Sequence, residues 1–195
     1  MTTKWEIEPI WQGQTVAILG NGPAMTKELA DSLRTHKRIA VNQAVMYALD
    51  ADMFVALDPH HPFWERAKDF TGMRVCGIDC EIDALYAGMW YETVTLKSGG
   101  AAEIRNNFLA AIRIAVRMGA SKIILAGVDA DLYDQIHAHT GFQGFAEGLA
   151  KVLAEVQAQG VQVERIGGVS SAPAVIEVAP IPTVPEPVTD APTAA

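Results

Sequence analysis

An α/β fold with a mainly parallel sheet and helices on both faces is what this sequence predicts, and three observations carry the prediction. Short apolar runs recur at 16–19, 38–41, 53–57, 73–78, 93–96, 122–126 and 161–166, each too brief for a helix and mostly rich in Val, Ile and Leu. Stretches with helical spacing separate most of these runs, as in a sheet whose strands are joined by crossover helices. The first run stops on Gly20-Asn21-Gly22-Pro23, a turn suited to leading a parallel strand into a helix. Together they describe a single Rossmann-like domain over residues 13–168, preceded by a cover segment at 1–12 and followed by a disordered, Pro-rich tail at 169–195.

Residues 1–11 hold Trp5, Ile7, Ile10 and Trp11, an irregular apolar set that reads as a cover for one edge of the core. In the first turn Gly20 and Gly22 lack a Cβ, so the backbone turns tightly and comes close to a ligand. Pro23 has no N–H to lose at the start of a helix reaching to about Leu33. Strand, turn and helix N-terminus would then form an anion site. The third glycine of a dinucleotide fingerprint is missing, since Met25 stands in its place.

The second strand ends on Asn42, where a nucleotide ribose is held in doubly wound folds, usually by an acid. Asn42 both donates and accepts, and it equally suits the N-cap of a helix at 43–49. The third strand ends on Asp58-Pro59-His60-His61-Pro62. Asp58 reads as a ligand contact at a strand end, and the two histidines as turn residues. A helical piece at 63–70 and a fourth strand at 73–78 follow, then an irregular stretch at 79–89. A further strand at 93–96 leads to Lys97-Ser98-Gly99-Gly100, a second candidate phosphate cradle before a helix predicted over 101–118. That helix buries Ile104, Phe108, Ala111, Ile112, Ala115 and Val116 on one face.

Run 122–126 is the most strand-like in the chain and ends on Gly127-Val128-Asp129-Ala130-Asp131. Asp129 and Asp131 have a D-x-D spacing that can hold a divalent ion against a diphosphate, or simply belong to a turn. In the loop after them come His137 and His139. Imidazole is the side chain best suited to moving protons near neutral pH, so these two near Asp129 are the catalytic candidates. A helix over 142–159 and a strand over 161–166 complete the domain.

Composition excludes several function classes. With 15 basic and 23 acidic residues the formal charge is −8, and no basic stripe offers a footprint for nucleic acid. No apolar run approaches the roughly 18 to 20 residues of a membrane span, and residues 1–11 are polar and acidic rather than signal-like, so a cytoplasmic location is expected. Cys76 and Cys80 cannot complete a zinc site by themselves and read as reduced, buried residues. Six of the ten prolines fall after residue 172, a composition that packs no core.

The strand ends Gly20-Asn21-Gly22-Pro23, Val41-Asn42-Gln43, Lys97-Ser98-Gly99 and Ile123-Ile124-Leu125-Ala126-Gly127-Val128-Asp129 resemble the core of glycosyltransferase family 42, the small bacterial sialyltransferases. They equally resemble the domain of archaeal 6-hydroxymethylpterin diphosphokinases and its phage-encoded relatives, which the H-x-H loop suits best. The sialyltransferase resemblance implies that Asn21, Asn42, Ser98 and Gly99 contact a nucleotide-sugar donor without a metal, and that His137 or His139 stands in for the catalytic histidine. The chain departs from that pattern at Ala24, where the family has a small hydroxyl residue, and at Asp58, where it has Asn. A carboxylate beside a phosphate calls for a cation, which favours a Mg²⁺-dependent diphosphokinase.

Three functions therefore stand as expectations. The first is a transferase using a nucleotide-activated donor, most simply a glycosyltransferase needing no cofactor. In it Gly20, Asn21, Gly22, Pro23, Asn42, Asp58, Ser98, Gly99 and Gly127 hold the nucleotide, and His137, His139 and Asp129 act on a small-molecule or glycan acceptor. The second is a diphosphokinase in which Asp58, Asp129 and Asp131 hold Mg²⁺. A non-catalytic protein that binds a nucleotide or nucleotide sugar is the third. Whether the chain forms a homo-oligomer stays open.

Overall fold

The computed structural model describes residues 6–57, 63–77, 92–94, 106–136 and 144–167, with the backbone alone at 92–94. Its strands are β1 (Thr15–Leu19), β2 (Lys37–Val41), β3 (Met53–Val55), β4 (Met73–Gly77), β5 (Glu92–Val94), β6 (Lys122–Ala126) and β7 (Gln162–Ile166). They form one sheet in the order β5-β4-β3-β2-β1-β6-β7. Every pairing among them is parallel. The chain thus builds outward from β1 in one direction as far as β5, and then resumes on the other side of β1 with β6. That reversal between β1 and β6 is the topological switch point, where open α/β sheets leave a crevice beyond the carboxyl ends of their strands.

Alternation along the central strands divides the core in two. Val16 and Ile18 of β1, Ile39 and Val41 of β2, and Ile123 and Leu125 of β6 face the helices α3 (Asn107–Arg117) and α5 (Phe145–Ala158). On the opposite face lie Ala17, Leu19, Ala40, Ile124 and Ala126, covered by α1 (Lys27–Ser32), the 3-10 helix Asn42–Tyr47 and α2 (Phe63–Arg66). A buried parallel sheet needs apolar residues at both parities, and that requirement made these strands read as continuous apolar runs. Trp64 fills the second layer beside Phe54, with ring centroids 5.2 Å apart. Cys76 is buried in the same layer, while Cys80 lies outside the described residues. At the N-terminus Trp11 is buried and Ile7 packs on the core, but Ile10 is exposed.

Several boundaries differ from expectation. The helix predicted to start at Pro23 begins at Lys27, because Thr26 caps it by accepting the Leu29 N–H at 3.1 Å. Asn42 opens a 3-10 helix rather than capping an α-helix. The helix predicted over 101–118 is described only from Asn107, with Asn106 as its cap. A helix absent from the sequence reading, α4 (Ala130–Ile136), follows β6 directly. The tail predicted at 169–195 lies outside the described residues.

Candidate functional site

A cavity of about 350 Å³ opens at the carboxyl ends of β1, β2 and β6, at the switch point. Its polar rim comes from the first turn, Asn42, Asn106, Asn107, Gly127 and Asp129, and its apolar wall includes Phe108, Tyr133 and Phe145. Parallel strands fix the rim, since Leu19, Val41 and Ala126 each deliver the next residue to the same edge of the sheet.

The first turn is held by backbone rather than by a helix. Gly20 N–H donates to the Ala126 carbonyl and Gly22 N–H to the Gly127 carbonyl, both at 2.8 Å. A Cβ at either glycine would stand 2.8 Å from the Gly127 oxygen. The close approach expected toward a ligand is thus made, first of all, to the turn after β6. Gly127 itself adopts a φ of 62°, and a Cβ there would meet Met25 at 2.6 Å. Met25, in the place of the third fingerprint glycine, is therefore the side chain that packs the two turns together. With α1 only six residues long and capped by its own Thr26, the expected helix-dipole anion site is not formed by the first turn.

Three asparagines converge from two elements. Asn42, at the end of β2, has a left-handed φ of 53°, a conformation Asn tolerates better than most residues. Its side-chain oxygen accepts from the Asn107 carboxamide. Asn107 also accepts the Leu57 N–H at 2.9 Å, tying the residue beyond β3 to the start of α3. Asn106 caps α3 by accepting from Phe108 and Leu109 N–H, at 2.9 and 3.1 Å. Sequence reading missed Asn106 and Asn107 because they were absorbed into a longer helix. Asn immediately before an apolar periodic run was the available signal.

On the other rim, Asp129 Oδ1 accepts the Leu132 N–H at 2.9 Å and so starts α4. Asp131 is exposed in the first turn of that helix. Among the described residues no three His, Cys, Asp or Glu side chains come together as a metal-holding group. Asp134, also on α4, accepts the N–H groups of Phe145 and Ala146 at 2.8 and 2.9 Å. It caps α5, whose own preceding residue is Gly144 and brings no side chain. This clamp ties α4 to the start of α5 across the segment 137–143. His137 and His139 lie outside the described residues, as do Asp58, Ser98 and Gly99.

The aromatic wall is a chain of edge-to-face contacts. Tyr133 and Phe145 have centroids 5.1 Å apart, and Phe108 and Phe145 6.1 Å. Burial, joined by the neighbouring Asp134 charge, raises the Tyr133 hydroxyl above the ordinary tyrosine value. Ile136, 66% exposed, stands at the outer lip. Such a site offers a planar or apolar group one wall and an oxygen-rich group the other. Among the described residues no helix is long and apolar enough to cross a membrane.

No protein-family model matches the chain. No curated protein matches it either. Among solved structures there is a match to a probable thiamine pyrophosphokinase from Staphylococcus saprophyticus subsp. saprophyticus, at 14% identity and a TM-score of 0.43. The alignment takes in 78% of this chain and 65% of that one, so the match spans just under two thirds of that protein's length.

Proposed function

We propose that this chain is a transferase whose donor is a nucleotide or nucleotide-activated compound, bound in the cavity over β1, β2 and β6. One observation carries the reading. The cavity at the switch point sets Gly20, Asn21, Gly22, Pro23, Asn42, Gly127 and Asp129 on its rim and faces them with an aromatic wall. In this reading the ring of the nucleotide packs on Phe108, Tyr133 and Phe145, while the sugar and phosphate lie along the polar rim. His137 or His139 takes the proton of an acceptor hydroxyl. A sialyltransferase-like activity is one form of this reaction, resting on the sequence resemblance alone. Calorimetric titration with CMP, CTP, UDP and ATP, with and without Mg²⁺, tests the reading. Micromolar binding of at least one is expected, and absence of binding to all four would overturn it.

A specific observation keeps a Mg²⁺-dependent diphosphokinase beside it. Asp129 is the one carboxylate, and no Lys or Arg occurs, among the described residues lining the cavity. A triphosphate there would need a cation, and Mg²⁺ is commonly shared between one or two carboxylates and the substrate's own phosphates. Asp129 has one oxygen engaged in the α4 cap and a second left for that role, with Asp58 and Asp131 as the other candidates. When bound, Mg²⁺ would neutralise phosphate charge. Replacing Asp129 by Asn preserves the acceptor that caps α4 and removes only the charge. Loss of Mg²⁺-dependent ATP binding in Asp129→Asn favours the diphosphokinase, whereas unchanged or tighter CMP binding favours the metal-free donor.

A further inference from the structure

We infer that Asn107 locks the Asn42 carboxamide with its NH2 toward the cavity, so that position 42 offers the ligand a hydrogen-bond donor. This rests on the cavity being the ligand site, and it specifies which chemistry that site takes. The orientation follows from one fixed donor. Leu57 offers a main-chain N–H, which can only donate, so the Asn107 atom facing it at 2.9 Å is the oxygen. Asn107 therefore turns its NH2 toward Asn42. The Asn42 atom that receives it must then be an oxygen, and the bond between Asn107 Nδ2 and Asn42 Oδ1 is the one observed. Asn42 lines the cavity, and with its oxygen held by Asn107 the NH2 is the group it can turn to a ligand.

The consequence separates this site from dinucleotide folds. There the acid at the end of the second strand accepts from ribose hydroxyls. Asn42 brings a donor to that role, because its oxygen is turned to accept from Asn107. Its partner is an accepting atom of the ligand, such as a carbonyl or phosphoryl oxygen, an unprotonated ring nitrogen or the oxygen of a hydroxyl. Asn107 acts through Asn42 and is a positioning residue. Replacing it by Asp keeps an oxygen for Leu57 N–H but presents a second oxygen to Asn42. Asn42 must then flip to donate, and it shows its own oxygen to the cavity. The α3 fold should persist, since a carboxylate is favourable in the first turn of a helix.

The test uses the full chain, with CMP and ATP as probes, in wild type, Asn42→Asp, Asn107→Asp and Asn107→Ala. Asn42→Asp and Asn107→Asp are expected to weaken the bound probe about tenfold or more, and Asn107→Ala less, because it frees Asn42 to turn either way. Equal affinity of wild type and Asn107→Asp would overturn the proposal while leaving the nucleotide reading intact. If neither probe binds the wild type, the lock is judged by NMR of the side-chain amides, while the nucleotide reading is judged by the four-nucleotide titration. In free wild type the Asn107 NH2 should exchange slowly with solvent and the Asn42 NH2 rapidly. In Asn107→Asp the Asn42 NH2 should become protected. Protection of the Asn42 NH2 in wild type would overturn the lock, with or without a ligand.

Discussion

At the scale of single residues, the turn after β6 shows how backbone contact and the cavity rim share the same glycines. Gly20, Gly22 and Gly127 leave no room for a Cβ, yet all three line the cavity. Gly127→Ala would combine a left-handed backbone with a contact 2.6 Å from Met25, and it should cost about 2 to 4 kcal/mol in urea unfolding. Tyr133 gives a second prediction through its raised pKa, caused first by burial and then by Asp134. A hydroxyl that ionises later in the folded chain than in the unfolded one contributes stability that is full below the unfolded value of about 10. That contribution is lost as pH rises through the higher folded value. Tyr133→Phe should therefore flatten the alkaline fall in stability, and thermal unfolding from pH 8 upward would show it.

Between elements, the best-defined link is one the sequence did not reveal. Asp134 reaches from α4 to the first N–H groups of α5, eleven and twelve residues ahead. No local cap pattern predicts such a reach, since capping rules look for the acceptor immediately before the helix. Asp129 carries a contact that its D-x-D spacing does not announce: its Oδ1 holds the start of a short helix. The strands were legible because a fully buried parallel sheet demands apolar residues on both faces, a demand local enough to leave its mark on five-residue runs. Asn42 and the first turn were legible because strand ends meet wherever strands are parallel. The aromatic wall was not, because Phe108, Tyr133 and Phe145 come from three helices whose meeting is a tertiary fact. Asp134→Ala should cost about 1 to 2 kcal/mol. Hydrogen exchange would speed first at Phe145 and Ala146, and unchanged exchange there would show that the clamp does not govern the helix start.

For the whole molecule, the sheet separates the cavity from a charged, anchoring edge. The cavity occupies the carboxyl ends of the strands, while the opposite edge gathers charge where β2 and β3 begin. Arg38, only 4% exposed, reaches Asp50 at 3.0 Å, and Lys37 reaches Asp52 at 2.6 Å. Asp52 also accepts the Arg38 N–H, at 2.9 Å, so the turn before β3 is tied to the first residues of β2. Burial pulls the Asp50 carboxyl upward, but the hydrogen bond and charge of Arg38, with smaller help from its own backbone and Arg34, outweigh it and leave it below the usual aspartate value. A carboxyl depressed in the folded chain contributes stability that is full above the unfolded value near 4 and disappears as pH falls through the lower folded value. Because the Asp50 side chain is 52% exposed, solvent screening limits the pair to about 1 kcal/mol or less. Asp50→Asn should therefore lower stability modestly at pH 7, and its unfolding curve should converge on wild type as pH falls through the lower folded value of the Asp50 carboxyl. Nucleotide affinity in the same variant should stay unchanged, since no residue of this edge lines the cavity. A parallel loss of binding would show that the two ends of the sheet are coupled, and that the strands carry strain from one edge to the other.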